Sequence, residues 1–357
     1  MPLPFTDKAD ADLAACVEMM RGGSKTFFAA SRLLPARVRA SAIALYAFCR
    51  VADDMVDLGD SIERSLQVLT HRLDLIYAGT PMDHVEDRAL AVVVQRHQLP
   101  RHLLDALLDG FAWDGHERRY DSIEDLHGYA ARVAGSVGAM MCWIMGPQQA
   151  NTLARACELG VAMQLTNIAR DVGEDAKLGR VYMPLQWLTE EGIDAQAWLA
   201  NPVCTPAVKN VVARLLNEAD RLYKQSMLGI AELPRDCRSA ILSAGLIYAE
   251  IGHQLRRNGL DSVNHRSVVS TQRKLVLLLK AKFKSAWVFT QRHPPQPLAG
   301  IAYLVEQCQE TTARQWAGVN DFPNRDMPQR IEWMLNLFER LERSRLDKSR
   351  RTPYRYD

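Results

Sequence analysis

Two aspartate clusters interrupt strongly apolar, helix-forming stretches of this chain, and they limit its possible folds more than any other feature. The first cluster is Asp53-Asp54-Met55-Val56-Asp57, and the second is Asp171-Val172-Gly173-Glu174-Asp175, 118 residues further on (53 to 171). A buried carboxylate without a partner costs several kcal/mol. Helices of this kind therefore need cations beside them. We predict that the two clusters face each other and hold divalent metal ions that bind a polyphosphate.

Each cluster belongs to a longer polar stripe, because residues three or four positions apart share one face of a helix. The first stripe consists of Tyr46, Arg50, Asp53 and Asp57. The second stripe consists of Gln164, Asn167, Asp171 and Asp175. A solvated acidic face is the alternative interpretation of either cluster alone. The apolar flanks, the neutral amides of the second stripe and the repetition of the design argue against it. Magnesium suits such sites, because it takes oxygen ligands and bridges carboxylates to phosphate oxygens.

The spacing of apolar residues is helical along most of the chain, and alternating strand patterns are nearly absent. The predicted helices cover 9–21, 35–57, 62–78, 85–97, 101–116, 122–145, 148–175, 205–228, 236–258, 269–290, 299–318 and 328–346. Prolines and glycines mark the breaks between them. The pattern predicts an all-α fold, with one domain over residues 1–290. A helical, charged extension of unknown role is predicted over residues 291–357.

The composition is that of an ordinary globular protein, with 48% apolar residues, 24% charged residues and a net charge of +2. So small a charge argues against nucleic acid as a partner. The seven cysteines are scattered and include no Cys-x-x-Cys pair, which favours a reducing compartment. The N-terminus lacks the order of a signal peptide, and no apolar run reaches membrane-spanning length. We expect a cytoplasmic protein, or one attached to a membrane face.

Basic residues suited to binding phosphate lie near both clusters, and no Gly-x-x-x-x-Gly-Lys-Ser/Thr loop is present. Ser24 and Lys25 belong to a turn over Gly22–Phe27 that opens a helix, where backbone N–H groups and a lysine bind anions. An ordinary helix cap is the alternative. Arg50 precedes the first cluster by one turn. Arg180 follows the second cluster, in a segment that would fold a basic residue and a tyrosine back over the metal site. The alternative role for Arg50 is an ion pair within its helix, and that for Arg180 is a charge on the protein surface.

Together these residues resemble the squalene/phytoene synthase family, the head-to-head prenyl synthases, and most of all its bacterial phytoene synthases. The resemblance covers approximately residues 12–285. The matching segments are Gly23–Ser31, Leu45–Arg50 with the first cluster, Tyr129 with Val133–Gly138, Gln164–Asp175 and Gly179–Pro184. Their order and spacing together are specific, although each alone is weak. The resemblance implies a single-domain helical bundle of the isoprenoid-synthase type with a central active-site cavity.

The resemblance also implies roles for individual residues. The implied catalytic residues are Asp53, Asp57, Asp171, Asp175 and Tyr129. The same four aspartates and Asn167 are the implied ligands of Mg²⁺, or of Mn²⁺ in its place. The implied diphosphate-binding residues are Ser24, Lys25, Arg50, Gln164, Asn167, Arg180, Tyr248, Arg266 and Lys274. The implied walls of the isoprenoid channel are Phe27, Val133, Gly135, Val137 and Gly138. Tight packing between helices is the alternative role for the two glycines. Phe111 stands where the family often has methionine, and we expect it to narrow or reshape the channel.

The implied reaction is the Mg²⁺-dependent condensation of two geranylgeranyl diphosphates to 15-cis-phytoene in carotenoid biosynthesis. It passes through prephytoene diphosphate, releases diphosphate and needs no NADPH. A dehydrosqualene or squalene synthase that uses two farnesyl diphosphates is the first alternative. A non-catalytic lipid-binding or assembly factor of the same fold is the second, although such a protein should have lost its aspartates. Downstream carotenoid enzymes are expected partners.

A basic amphipathic segment follows these motifs. No Asp or Glu occurs between Ser262 and Val305, while lysines and arginines accumulate around Leu275–Leu279 and Phe283. Such a segment favours peripheral contact with an anionic surface, here the inner face of the cytoplasmic membrane. A core helix with a solvated basic side is the alternative.

Overall fold

The computed structural model describes residues 7–23, 31–59, 61–285 and 295–309, and every regular element within these ranges is helical. The long helices are α1 (Asp7–Gly23), α2 (Ala36–Leu58), α3 (Ile62–Tyr77), α4 (Val85–His97), α5 (Arg101–Gly115), α8 (Ala150–Lys177), α11 (Pro206–Ser226), α12 (Arg235–Arg257) and α13 (Thr271–Ser285). The shorter helices are α6 (Ile123–Ala130), α7 (Ser136–Met145), α9 (Leu185–Glu190), α10 (Ala195–Ala200) and α14 (Ala302–Gln309). A π-helical turn, Ala131–Gly135, joins α6 to α7, and 3₁₀ turns cover Met227–Glu232 and Ala299–Ile301. The all-α prediction is confirmed.

Helix α8 forms the centre of the bundle and packs against α7, α11 and α12. Its 28 residues span about 42 Å at about 1.5 Å per residue. One face of α8 carries a buried apolar stripe of Leu153, Cys157, Val161, Leu165, Ile168 and Val172. Because this stripe is directed into the core, the polar stripe of the same helix lies on a different face. That polar face contributes Gln164 and Asn167 to the wall of a central cavity.

Local signals determine where the helices near the cavity begin and end. Helix α2 begins directly after Pro35 and ends before Gly59, where the Ser65 hydroxyl donates to the Met55 carbonyl at 2.8 Å. Helix α6 begins at a capping box, in which Ser122 and Asp125 each bond the other's backbone N–H. These caps fix the start of α6, which leads into the predicted channel segment, and the end of α2 directly after the first aspartate cluster.

Glycines allow α7 and the preceding turn to pack directly on α8. A Cβ atom on Gly160 would overlap the Ala134 carbonyl oxygen, and one on Gly138 would overlap the carbonyl oxygen of Ala156. Backbone therefore packs against backbone at these positions. The close packing keeps α7 and α8 together along one wall of the cavity.

The described part of the C-terminal region packs onto the bundle. Helix α14 contacts α5, α7 and α8, and its neighbourhood buries Ile301, Leu304 and Cys308. His102 of α5 contacts the Leu304 carbonyl through Nε2 at 3.2 Å. The division of the chain at residue 290 stays a prediction, and residues 295–309 are closely joined to the helices before it.

Most predicted helices agree with the structure to within a few residues. The two short helices α9 and α10 were not predicted, because six residues are too few to display a periodic apolar pattern. The predicted helix over 122–145 is interrupted by the π-helical turn. Parts of the helices predicted over 269–290 and 299–318, and all of that over 328–346, lie outside the described residues.

We expect Gly160→Ala to lower the free energy of unfolding by about 1–3 kcal/mol, the usual cost of overpacking a close contact. The added methyl group would have to displace the Ala134 carbonyl oxygen. Urea unfolding followed by circular dichroism measures the change. Gly22→Ala is the matched control, because a Cβ on this exposed residue of α1 meets no atom of the described residues within 4 Å. Equal stability of the two variants would contradict the packing described for α8.

Candidate active site

The two aspartate clusters lie on α2 and α8, at one end of the central cavity. Asp53 and Asn167, one from each helix, both line this cavity. Arg180, just beyond α8, joins the clusters, because its Nη2 donates to Asp57 Oδ1 at 2.9 Å. The turn that carries Arg180 is closed by Gly179, whose φ is +77°. The structure thus brings together the two predicted stripes, and Arg180 folds back over them.

Arginines partly neutralise the second cluster. Arg170 Nε donates to Asp171 Oδ1 at 2.7 Å, and Arg266 Nε donates to the same oxygen at 2.7 Å. Burial alone would raise the pKa of Asp171, but these hydrogen bonds and charges outweigh it and lower the pKa. Asp171 is therefore held as a carboxylate.

The first cluster has its own arginine. Arg50 Nε donates to Asp54 Oδ2 at 3.0 Å, and its Nη1 lies 3.4 Å from Asp53. The alternative considered for Arg50, an ion pair within its helix, is what the structure contains. The same guanidinium lines the cavity mouth, so it borders the predicted diphosphate site as well.

Two aspartates remain poorly compensated. Burial and the nearby Asp57 raise the pKa of Asp53 to about 6 from its ordinary value of 3.8. Burial and the nearby Asp171 raise the pKa of Asp175 to about 7. Both groups are destabilised as carboxylates, and a bound cation would relieve this by adding positive charge.

The donor set fits a small divalent cation that also binds substrate. Asn167 Oδ1 is buried and has no hydrogen-bond partner among the described residues, while its Nδ2 lies 3.5 Å from Gln164 Oε1. Among the described residues no three His, Cys, Asp or Glu side chains form a preformed metal site. Each cluster therefore offers one or two carboxylates and leaves other coordination positions open. Magnesium is commonly held in this way, with water and substrate phosphates completing its octahedron.

A partly buried carboxylate, Asp114, holds two of three tyrosines that pack together near the clusters. Asp114 of α5 accepts hydrogen bonds from Tyr129 at 2.7 Å and from Tyr182 at 2.6 Å. The rings of Tyr129 and Tyr182 stack with centroids 5.2 Å apart, and Tyr120 lies 5.2 Å from Tyr129. Burial and the Asp114 charge raise the pKa of Tyr129 well above 10, so its hydroxyl keeps its proton. Tyr129 is thus a fixed, neutral ring that Asp114 holds in place, and it is not among the residues that line the described cavity.

Beyond the mouth the cavity is mostly apolar and has a volume of about 590 Å³. Side chains from α2, α5, α7, α8 and α12 line it, and Tyr248 lies on its wall. The predicted channel residues Val133, Val137 and Gly138 are among the lining residues, and so is Phe111. Such a wall suits a hydrocarbon chain and excludes water.

Other predicted residues are placed differently. Gly135 does not line the described cavity, because it packs against the Cys157 carbonyl and Val161 of α8. This is the helix-packing role that was its alternative. Lys274 lies in the first turn of α13 and is partly buried. Ser24, Lys25 and Phe27 lie outside the described residues, although α1 ends at Gly23 directly against Tyr46 and Arg50.

The predicted set omitted Asp114, Arg170 and Tyr182, which the structure joins to the site. Arg170 is next to Asp171 in sequence, so it falls off the polar stripe, yet its long side chain curls back to the carboxylate. Asp114 is an isolated carboxylate on an apolar helix, and its burial could have been the signal. Tyr182 was expected to fold back over the site together with Arg180, but without a role of its own.

Comparison with known proteins agrees with this arrangement. A sequence model described as squalene/phytoene synthase matches residues 20–274. The phytoene synthase of Rhodobacter capsulatus is 48% identical over 305 residues, which cover 84% of this chain and 90% of that protein. That of Cereibacter sphaeroides is 51% identical over 280 residues, 76% of this chain and 79% of that protein. The crystal structure of a dehydrosqualene synthase with a ligand has a TM-score of 0.72 and 32% identity, covering 80% of this chain and all of that one.

An all-helical bundle whose apolar cavity opens between two aspartate-bearing helices defines a helical prenyltransferase. The family match spans most of the chain, and several relatives exceed 30% identity over more than two thirds of it. The chain therefore belongs to the squalene/phytoene synthase family.

In the absence of divalent cations, we expect Asp175→Asn to be more stable than the wild type at pH 8, by on the order of 1 kcal/mol. The pKa of Asp175 rises from 3.8 to about 7 on folding. Its contribution to stability is thus complete below pH 4 and is lost as the pH rises towards 7. The neutral amide escapes this loss, so the two proteins should converge near pH 4. Urea unfolding in EDTA at both pH values measures the difference.

Asp220→Asn is the control, because Asp220 pairs with Arg256 away from the cavity. It should give no gain at pH 8. A destabilised Asp175→Asn at pH 8 in EDTA would show that the second cluster is already neutralised without metal.

Proposed function

We propose that this chain condenses two molecules of geranylgeranyl diphosphate head to head, through prephytoene diphosphate, to 15-cis-phytoene and diphosphate. Membership of the squalene/phytoene synthase family makes the chain a prenyltransferase of isoprenoid biosynthesis, and its phytoene synthase relatives support the longer substrate. The observation that carries it is the apolar cavity, which begins at the acidic mouth and follows α8 inward.

The depth of the cavity supports the longer substrate. On α8 the residues that line the cavity run from Asn167 to Thr152, 15 residues or about 22 Å at about 1.5 Å per residue. An extended isoprene unit is roughly 5 Å long, given C–C bonds of about 1.5 Å. Four units and the first atoms of a diphosphate match this depth, whereas three units leave one unit's length empty. The identities of 48% and 51% to phytoene synthases favour the same substrate.

Several residues are suited to hold the diphosphates. We infer that Asp53, Asp57, Asn167, Asp171 and Asp175 hold Mg²⁺, or Mn²⁺ in its place. The bound Mg²⁺ would neutralise the leaving diphosphate. Arg50, Arg180 and Arg266 already lie against these carboxylates, and each guanidinium can turn a donor to a phosphate oxygen. Ser24, Lys25, Gln164, Tyr248 and Lys274 complete the proposed diphosphate-binding set.

The remaining chemistry depends on exclusion of water and on aromatic rings. Loss of diphosphate leaves an allylic cation, which water would quench, and the apolar wall keeps water out. We infer that the rings of Tyr129 and Tyr248 stabilise the cation, an interaction worth about 0.5–2 kcal/mol each.

Attack by the double bond of the second substrate and loss of a proton give the cyclopropyl diphosphate. A second ionisation, rearrangement and proton loss give phytoene. The released diphosphate is the proposed proton acceptor, and no hydride donor is needed because the product keeps its central double bond.

With geranylgeranyl diphosphate and Mg²⁺ but without NADPH, the purified protein is expected to produce phytoene, identified by chromatography and mass spectrometry. Chelation of Mg²⁺ should stop the reaction. A thirty-carbon product from farnesyl diphosphate, with no turnover of the longer substrate, would favour the dehydrosqualene or squalene synthase alternative. A folded protein that turns over neither substrate would favour the non-catalytic alternative.

Asp53→Asn and Asp54→Asn form a matched pair within this assay. Asp53 lines the cavity, while its neighbour Asp54 bonds Arg50 and is absent from the cavity wall. Asp53→Asn should lower kcat by at least about a hundredfold, and Asp54→Asn should have a much smaller effect. An equal loss of kcat in the two variants would contradict the proposal that Asp53, and not Asp54, binds metal.

We also propose that α13 attaches the enzyme to an anionic lipid bilayer, which would hold it at the inner face of the cytoplasmic membrane. The helix buries Leu277, Leu278 and Ala281 on one side. On the opposite side three apolar residues are exposed, Val276 by 52%, Leu279 by 46% and Phe283 by 72%. No described helix is long and apolar enough to cross a membrane.

Charge supports this choice of partner. Lys280, Lys282 and Lys284 of α13 are exposed beside the apolar stripe, and the sequence contains no acidic residue from Ser262 to Val305. Lysine at an anionic lipid surface contributes about 1 kcal/mol. An apolar face flanked by lysines is the pattern of a helix that lies in the membrane interface. Phytoene is a hydrocarbon, so such contact would deliver it directly into lipid.

Leu279→Ser/Phe283→Ser is expected to reduce binding to phosphatidylglycerol vesicles by at least about tenfold, since two large apolar side chains lose their buried position in lipid. Vesicle flotation measures the bound fraction. High salt should weaken wild-type binding, and neutral phosphatidylcholine vesicles should bind poorly.

Val68→Ser/Val92→Ser is the control, because both residues are exposed apolar side chains on other helices. Loss of binding in the control as well, or none in the α13 variant, would contradict a docking role for α13.

A further inference from the structure

A buried ion pair lies beside the part of the cavity furthest from the aspartates on α8, where Thr152 and Arg155 line the wall. Arg155 of α8 lines the cavity wall although only 1% of the residue is exposed. Its Nη1 donates to Glu158 Oε2 at 2.7 Å, and Glu158 is 0% exposed. A guanidinium on the wall of a hydrocarbon-binding cavity is costly to bury. The proposed reaction gives it no chemical task.

Residues 295–298 fix this pair from outside. Arg155 Nη2 donates to the Pro295 carbonyl at 2.8 Å, and the backbone N–H of Leu298 donates to Glu158 Oε1 at 3.0 Å. Ile301 and Leu304 are then buried on the bundle. The described C-terminal segment thus holds both side chains in place through its backbone.

Arg155 also has little room to move on its other side. A Cβ atom added to Gly229 would lie 2.5 Å from Arg155 Cβ and 2.9 Å from its Cγ. The absence of a side chain at Gly229 therefore leaves room for the aliphatic part of Arg155, while Glu158 and the Pro295 carbonyl bind its guanidinium group. A hydrocarbon terminus cannot replace these partners, because it offers no hydrogen-bond acceptor to the guanidinium.

The position of Arg155 matches the length of the substrate. It lies about 24 Å from Asp171 along α8, and a fifth isoprene unit would extend the tail by roughly another 5 Å. We propose that Arg155, held by Glu158 and the Pro295 carbonyl, is the stop that sets the longest isoprenoid tail the cavity accepts. This inference rests on the proposed function, because it assumes that the tail extends inward from the aspartates. It gives the C-terminal segment a part in substrate selection.

The test removes the stop without leaving a buried charge. In Arg155→Ala/Glu158→Met the cavity gains length, and no unpaired carboxylate remains. We expect the ratio of kcat/KM for the twenty-five-carbon diphosphate to that for the twenty-carbon diphosphate to rise by about ten- to a hundredfold. An unchanged ratio in the folded variant would overturn the proposal.

Gly229→Ala moves the stop in the opposite direction and leaves the ion pair in place. The new methyl group should push Arg155 into the cavity, so that activity with the twenty-carbon substrate falls relative to the fifteen-carbon one, by about tenfold. This variant keeps the proposal testable if the double variant fails to fold. No change in this ratio would count against Arg155 as a stop.

Met163→Ala is the matched control. Met163 lines the cavity on the same helix, eight residues nearer the mouth than Arg155. Removing its side chain adds comparable volume at the side of the cavity, so it should leave the twenty-five to twenty ratio unchanged. A rise equal to that of the double variant would mean that volume alone, and not the position of Arg155, limits tail length.

Binding separates this inference from the proposed function. Thiodiphosphate analogues with fifteen, twenty and twenty-five carbons resist ionisation, and their dissociation constants can be measured by titration calorimetry with Mg²⁺. If the wild type turns over only the fifteen-carbon substrate, the proposed function fails. The inference then survives only if the double variant shifts the preferred analogue upward by one isoprene unit, and it is overturned if the preference stays the same.

Discussion

The interaction on which the rest of the structure depends is the repulsion among carboxylates held at the end of an apolar cavity. Asp53 and Asp175 have raised pKa values because burial and a neighbouring aspartate act in the same direction. Arg170 and Arg266 compensate Asp171, and Arg180 compensates Asp57. Arginines thus compensate Asp57 and Asp171, whereas Asp53 and Asp175 remain poorly compensated. A site left in this state favours a cation strongly, and a cation that arrives with a polyphosphate most of all.

Such a site requires a rigid scaffold, because carboxylates that repel each other would otherwise move apart. The long helix α8 supplies this rigidity, with one face in the core and another on the cavity wall. Close backbone packing at Gly160 and Gly138 fixes α7 against it. On the other side of the mouth, Asp114 fixes Tyr129 and Tyr182. The aspartates are therefore positioned by elements that cannot relax to relieve their repulsion.

Helical spacing was enough to predict much of this arrangement. The steps of three and four residues identified both polar stripes, because helix geometry determines which side chains share a face. The turn after α8 was expected to return Arg180 to the site, and it does. Spacing could not reveal Arg170, which reaches Asp171 by the length of its side chain, nor Asp114, whose partners are 15 and 68 residues away. Spacing also could not place Gly135. Whether a glycine lines a cavity or packs against a neighbouring helix depends on how the two helices pack, which the sequence pattern does not show.

The two ends of the cavity contain charged residues for different physical reasons. At the mouth carboxylates exceed the arginines that compensate them, which leaves negative charge for the cation and diphosphate that we propose bind there. At the inner end Arg155 and Glu158 balance each other, and the backbone of residues 295–298 satisfies two more of their hydrogen-bonding groups. Arg155 Nε has no partner among the described residues, but the two charges balance each other and the pair is costly to break. The same kinds of side chain can therefore bind substrate at one end and limit it at the other, and the difference is whether their charges are compensated.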